Sequence, residues 1–117
     1  MPKDDLIYIG HMLDMAREAR NLVEGRERAD YDQDKALRYA LAHLLQIIGE
    51  AARHVSPEMR ARHAHIPWRA ITGMRHKIVH DYMFVDEDIV WKTVTEELAP
   101  LVADLERIIL EESNEET

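Results

Sequence analysis

The segment Arg75-His76-Lys77-Ile78-Val79-His80-Asp81-Tyr82 gathers a permanent cation, imidazoles, a carboxylate and a phenol, with Ile78 directed to the core. Cleavage of RNA without a metal needs such groups. A base takes the proton of the 2′-hydroxyl, a cation steadies the extra charge on a pentavalent phosphate, and an acid protonates the departing oxygen. His80 suits the base or acid role because an imidazole ordinarily titrates near neutral pH. Arg75 suits phosphate because its planar guanidinium can donate two parallel hydrogen bonds. Five residues along an ideal helix turn through about 500°, so Arg75 and His80 would point about 140° apart. A site using both needs the helix to end near His80, or Arg75 to reach round. One histidine supplies an acid or a base but not both, and a two-fold dimer facing two copies of the segment across a cleft would remove that shortage. On chemistry alone, the same residues read at least as readily as an exposed, charged helix end.

Two other constellations invite a metal. Asp30-x-Asp32-x-Asp34 starts like a calcium loop, but its sixth and twelfth positions are Lys35 and Leu41 where Gly and Glu are needed, so helix capping is the expectation. His76 and His80 share a helix face at a spacing of four, with His63, His65 and Asp81 nearby in sequence. That pattern can hold zinc. The neighbour of His76 is however Lys77, which repels a cation, and the expectation is no metal and no cofactor.

Charge is unevenly distributed. The chain of 117 residues carries −8 overall, yet Arg53 to His80 holds six Lys/Arg (Arg53, Arg60, Arg62, Arg69, Arg75, Lys77) against Glu58 alone. That stretch is +5, leaving −13 for the rest, and it holds five of the seven histidines. A local basic patch can bind phosphate while the acidic remainder keeps non-specific RNA away; the alternative is cations scattered round several helix faces. The absence of cysteine excludes disulfides, thiolate metal sites and a Cys nucleophile, and fits a reducing compartment. The acids at Asp4 and Asp5 stand where a signal peptide needs bases, and no apolar run approaches membrane-span length. A cytoplasmic chain with no membrane association is expected.

The elements that must position these residues read as helices. Leu6, Ile9, Leu13, Ala16 and Val23 mark one face over about Asp4–Glu24, capped by Asp4 or Asp5 and ended at Gly25. A polar link, Gly25–Asp32, follows. The second helix, about Asp34–His54, carries Leu37, Leu41, Leu44, Ile48, Ala51 and Val55, and Leu45 and Ile47 broaden its stripe enough for a central or interfacial place. Ser56-Pro57-Glu58 starts a short helix that fades near His65. Ile66-Pro67-Trp68 begins another, reaching about His80 with Ile71, Met74 and Ile78 inward. After a turn over Asp81–Val85, Asp86 caps a last helix with Ile89, Val90, Val94, Leu98, Leu101, Leu105 and Ile108 at core spacing, kinked by Pro100. Glu111–Thr117 reads as a solvated tail and no strand alternates convincingly. The fold expected is all-α: an antiparallel four-helix bundle with a short extra helix, one domain over residues 1–112 and a frayed acidic tail at 113–117.

Arg75-x-x-x-x-His80-Asp81-Tyr82 resembles the signature of HepT-like ribonucleases in the HEPN superfamily. The resemblance extends in order through Ile48-Gly49-Glu50-Ala51-Ala52, Ile66-Pro67-Trp68-Arg69-Ala70-Ile71, Gly73-Met74-Arg75 and Asp86-Glu87-Asp88-Ile89-Val90-Trp91. It implies a HEPN-like bundle, a homodimer with a composite ribonuclease site, and the toxin role in a two-gene toxin–antitoxin module beside a minimal nucleotidyltransferase. It implies Arg75 and His80 as catalytic residues and Tyr82 as the site where the antitoxin adds AMP. His76 stands where close relatives most often have Asn. With Asp81 and Glu50 it is expected to support the site, Glu50 orienting Arg75 or Arg53, while Arg53, Arg69 and Lys77 bind RNA. Trp68 and Trp91 read as core anchors, and Gly49 as a point of close helix approach. Alternatives are a non-catalytic nucleotide-binding or substrate partner of a nucleotidyltransferase, and a purely structural helical dimer.

Overall fold

A computed structural model describes residues 3–81 and 84–116; the side chains of residues 3, 80, 81, 115 and 116 lie outside the described set. Helix α1 (Lys3–Val23) packs on both α3 (Lys35–Arg53) and α8 (Leu98–Glu116). Its expected stripe is buried at Ile9, Leu13, Ala16 and Val23, with Met12 and Ala19 added. Gly25 ends the connection in the left-handed region, φ 74°, which a side chain would strain. Asp5 is not a cap. It lies buried in the first turn and accepts the Ser56 N–H at 2.8 Å and the Ser56 hydroxyl at 2.6 Å. The start of α1 is thereby tied to the start of α4 (Pro57–Arg62), where Ser56 in turn accepts the Met59 N–H at 3.2 Å.

The link expected to be merely polar holds a short helix, α2 (Arg28–Gln33). One residue explains it: Tyr31 is fully buried, its ring tilted against Trp91 at 5.3 Å and its hydroxyl donating to Glu87. Burial first, and then the Glu87 carboxylate, push the phenol well above its ordinary range. The Asp-rich pattern is spent on local structure. Asp30 accepts the Glu27 N–H at 2.8 Å, Asp32 meets Arg28 at 2.9 Å, and Asp34 caps α3 through the Leu37 N–H at 3.0 Å.

Helix α3 is central, as its broad stripe implied, packing on α1, α2, α5 (Trp68–Thr72), α6 (Met74–Ile78) and α7 (Glu87–Lys92). Helices α5 and α6 replace the single helix expected to reach His80, with a break at Gly73; Ile71, Met74 and Ile78 still point inward. The chain leaves the helical path at Ile78 and forms a short antiparallel ribbon, β1 (Val79–Asp81) with β2 (Phe84–Val85), irregular between Val79 and Asp81. Three and two residues are too few for alternation to show in sequence. The Asp86 N–H donates to the Ile78 carbonyl at 2.6 Å, closing the ribbon's base, and the Asp86 carboxylate caps α7 through the Ile89 N–H at 3.1 Å.

Between α7 and α8 the helix widens into a π turn, Thr93–Glu97, just ahead of Pro100. In that register the Thr95 carbonyl faces Pro100, which has no N–H. Arg20 donates to this carbonyl at 3.4 Å. Helix α8 continues through Glu116. Glu112, expected in a solvated tail, has a side chain only 3% exposed and is bonded to Arg62 and to His63 at 3.1 Å. The architecture is an all-α HEPN-like bundle built on α1, α3, α5–α6 and α7–α8, with α4 as the short extra helix.

Candidate functional site

The candidate site is carried by α6 and the ribbon that follows it. Gly49 sets how near α6 can stand to the bundle: a Cβ there would lie 2.7 Å from the Ile71 carbonyl oxygen and 3.4 Å from the Met74 Cβ. Met74 and Ile78 anchor α6 inward, so Arg75, His76 and Lys77 emerge on its exposed side. Their side chains make no hydrogen bond or ion pair to another described residue. The helix ends two residues before His80, which meets the condition that the chain leave its helical path if Arg75 and His80 are to share a ligand. His80 and Asp81 have their backbone in β1; their side chains, and Tyr82 altogether, lie outside the described residues.

The other expected residues are distributed differently. Glu50 is exposed on α3, with its carboxylate 3.8 Å from Arg53 and 3.7 Å from His54. Of its two expected partners it therefore stands near Arg53, one turn along its own helix. His54 in turn stacks on Tyr8 at 4.8 Å. Arg69 is exposed on α5 without a side-chain partner among the described residues. Within the basic stretch, Arg60 donates through Nε to the Val55 carbonyl at 3.1 Å and Arg62 is bonded to Glu112. Three cations of the six, Arg69, Arg75 and Lys77, thus have no partner among the described residues, and they lie on two consecutive short helices.

The histidines divide in the same way. His63 is buried against Glu112, and His65 lies 3.7 Å from Asp104. Burial pushes the Glu112 carboxyl up, but Arg62 and His63 together outweigh it and hold the group below its ordinary value. Among the described residues no three potential metal ligands converge. Trp68 is buried, its indole donating to the His63 carbonyl at 3.0 Å, and Trp91 is half-buried on Tyr31; both serve as packing anchors. Phe84 of β2, two-thirds exposed, was not singled out in the sequence. An aromatic residue beside the motif and outside any helical stripe was the available signal.

A family profile described as ribonuclease HepT-like matches residues 12–108. The chain belongs to the HepT-like ribonuclease family. The relatives agree with this assignment. A candidate RNase of Methanocaldococcus jannaschii is 32% identical over 110 residues, covering 93% of this chain and 91% of its own length. Another candidate RNase, from Caldanaerobacter subterraneus subsp. tengcongensis, is 33% identical over 105 residues, with coverage of 90% and 94%. A Thermococcus cleftensis protein named as a ribonuclease HepT is 36% identical over 95 residues, with coverage of 78% and 86%. No solved structure matches the chain. The match runs from within α1 to within α8 and so includes all of α3, α5 and α6. Among the described residues no helix is long and apolar enough to cross a membrane.

Proposed function

We propose that this HepT-like chain is a metal-independent endoribonuclease whose reaction is carried by Arg75 and His80 of two facing copies. The observation that supports it is the Arg75 guanidinium, exposed on α6 without a partner among the described residues, on a helix that ends just before His80. In this reading His80 of one copy takes the proton of the ribose 2′-hydroxyl, and the oxygen attacks the adjacent phosphorus. Arg75 donates to the phosphate oxygens as charge accumulates there, which stabilises the transition state more than the ground state. The 5′-oxygen leaves with a proton from His80 of the second copy, giving a 2′,3′-cyclic phosphate and a 5′-hydroxyl. No ion is required, because each proton has a donor or acceptor and the developing charge has a guanidinium.

Lys77, Arg69 and Arg53 are proposed to hold the flanking RNA, with His76 and Asp81 supporting the reacting pair and Glu50 acting through Arg53. The biological setting proposed is the toxin of a two-gene module in the cytoplasm, beside a minimal nucleotidyltransferase antitoxin. Transfer of AMP to the Tyr82 oxygen, with pyrophosphate leaving from ATP, would put a phosphate and a nucleoside next to Arg75 and so block RNA by charge and bulk.

The deciding experiment incubates purified protein with RNA in EDTA and analyses the ends. Cleavage to cyclic phosphate ends, abolished by His80→Ala and by Arg75→Ala with helicity retained, is expected. Undiminished cleavage by His80→Ala would overturn the assignment, and harmless expression with tight nucleotide binding and no cleavage would favour the non-catalytic partner instead.

A further inference from the structure

A shallow, open depression lies away from α6, beside α4 and α5. It has a volume of about 660 Å³ and is lined by Pro57, Arg60, Ile66, Trp68, Arg69 and Thr72 among others. It has an apolar floor, two guanidinium groups and no carboxylate among its lining residues, on a chain whose net charge is −8.

The two arginines are placed differently. Arg60 is half-buried and pinned through Nε to the Val55 carbonyl at 3.1 Å, the one hydrogen bond its guanidinium makes among the described residues. The terminal nitrogens are left for another acceptor, and a guanidinium already held in place loses less freedom on binding. Arg69 is exposed on the opposite wall. It precedes Arg75 by six residues across the break at Gly73, so the two backbones lie no more than about 20 Å apart, within the span of a few extended nucleotides.

We infer that this cleft is a second phosphate-binding groove, in which Arg60 and Arg69 hold the backbone of single-stranded RNA that runs on from the α6 segment. The inference rests on the ribonuclease reading and extends its flanking contact at Arg69 to a second cation, Arg60 on α4. The preferred ligand is single-stranded, because the cleft offers cations and apolar surface without groups placed to read base edges.

The test is binding of a labelled 2′-O-methyl RNA oligomer, which lacks the attacking hydroxyl, by fluorescence anisotropy across a salt series. Each phosphate contact on a single strand contributes about 0.7 to the slope of log K against log salt. Losing both guanidiniums in Arg60→Gln/Arg69→Gln should lower that slope by about 1.4, so that wild type loses about sevenfold more affinity than the double variant between 50 and 200 mM salt. Arg69→Gln alone should show half the slope change, and this exposed side chain has no folding role that could be lost. Arg60→Lys, which keeps the charge, should retain most of the slope, and Arg107→Gln on α8 should match wild type. Cleavage that occurs while the double variant keeps the wild-type slope would overturn the groove and spare the ribonuclease reading. Groove-dependent binding without any cleavage would do the reverse. Tighter groove-dependent binding of an oligoglutamate peptide than of RNA would reassign the cleft to an acidic protein and overturn the inference.

Discussion

Gly49→Ala separates the two roles a helical glycine can have, because the same substitution at Gly10 meets none of the same obstacles. Each glycine lies inside a long helix, and replacing either by alanine removes backbone freedom from the unfolded chain, a gain of about 0.5–1 kcal/mol. A Cβ at Gly10 would meet nothing within 4 Å, so that gain should survive. At Gly49 the new methyl would stand 2.7 Å from the Ile71 carbonyl oxygen. A backbone oxygen cannot swing away as a side chain does; α5 must retreat bodily, loosening Ile71 and Met74 against α3. Overpacking of this kind costs about 1–3 kcal/mol, which leaves a net loss of about 1–2 kcal/mol once the gain is deducted.

Thermal melts followed by circular dichroism give the comparison. For a chain of this size each kcal/mol moves the midpoint by about 4 °C, so Gly10→Ala should rise by about 2–4 °C and Gly49→Ala fall by about 4–8 °C. RNA cleavage, assayed well below both midpoints, should fall in Gly49→Ala because α5 and α6 move together, and hold in Gly10→Ala. A Gly49→Ala midpoint at or above that of Gly10→Ala would refute the claim that close approach at this glycine fixes the position of the α6 segment.

Glu112 gives a pH dependence with a definite sign. Its folded carboxyl titrates below the ordinary value of 4.5, so it stabilises the fold above that pH and the contribution is lost as pH falls through the depressed folded value. The gap in melting temperature between wild type and Glu112→Gln should therefore be largest near neutrality and shrink below pH 4.5; a gap that widens on acidification would contradict the assignment. Thr93 carries a buried hydroxyl, 3% exposed as a residue, with no hydrogen-bond partner among the described residues, whereas Thr95 in the same π turn donates to the Trp91 carbonyl at 2.7 Å. Thr93→Val keeps the shape and removes the unmet polar group, so it should stabilise by about 1 kcal/mol, read as a higher midpoint in chemical denaturation, and Thr95→Val should not.

What the sequence disclosed followed the range of the interactions concerned. The long stripes of α1, α3 and α7–α8 repeat over many turns, and the caps at Asp34, Ser56 and Asp86 act within three residues, so both are visible in one dimension. The one buried side chain of helix α2 is Tyr31, and a single aromatic residue makes no period. Glu112 sits in a run that reads as solvent-exposed, yet its partners Arg62 and His63 come from about fifty residues earlier in the chain. The Asp5–Ser56 bond is hidden for the same reason. The motif around Arg75 was legible as a set of types and spacings. The α4–α5 cleft was not, because it exists only through the angle at which two short helices meet.

The basic stretch illustrates why residue counts alone could not decide between a ligand patch and scattered surface charge. Both descriptions hold for different members. Arg62 serves the C-terminal helix, and Arg60 is bound to the chain's own carbonyl. Arg69, Arg75 and Lys77 are the ones without partners among the described residues, and they fall on α5 and α6, the pair that meets α3 at Gly49. A cation without an internal partner adds nothing to folding that a neutral polar residue would not, and clustering like charges costs some stability through mutual repulsion. Three such cations on consecutive helices, in a chain that is otherwise strongly acidic, fit the proposal that an anion arrives from outside. The rigid contact beneath them is what would let that anion find the guanidinium and the imidazole in register.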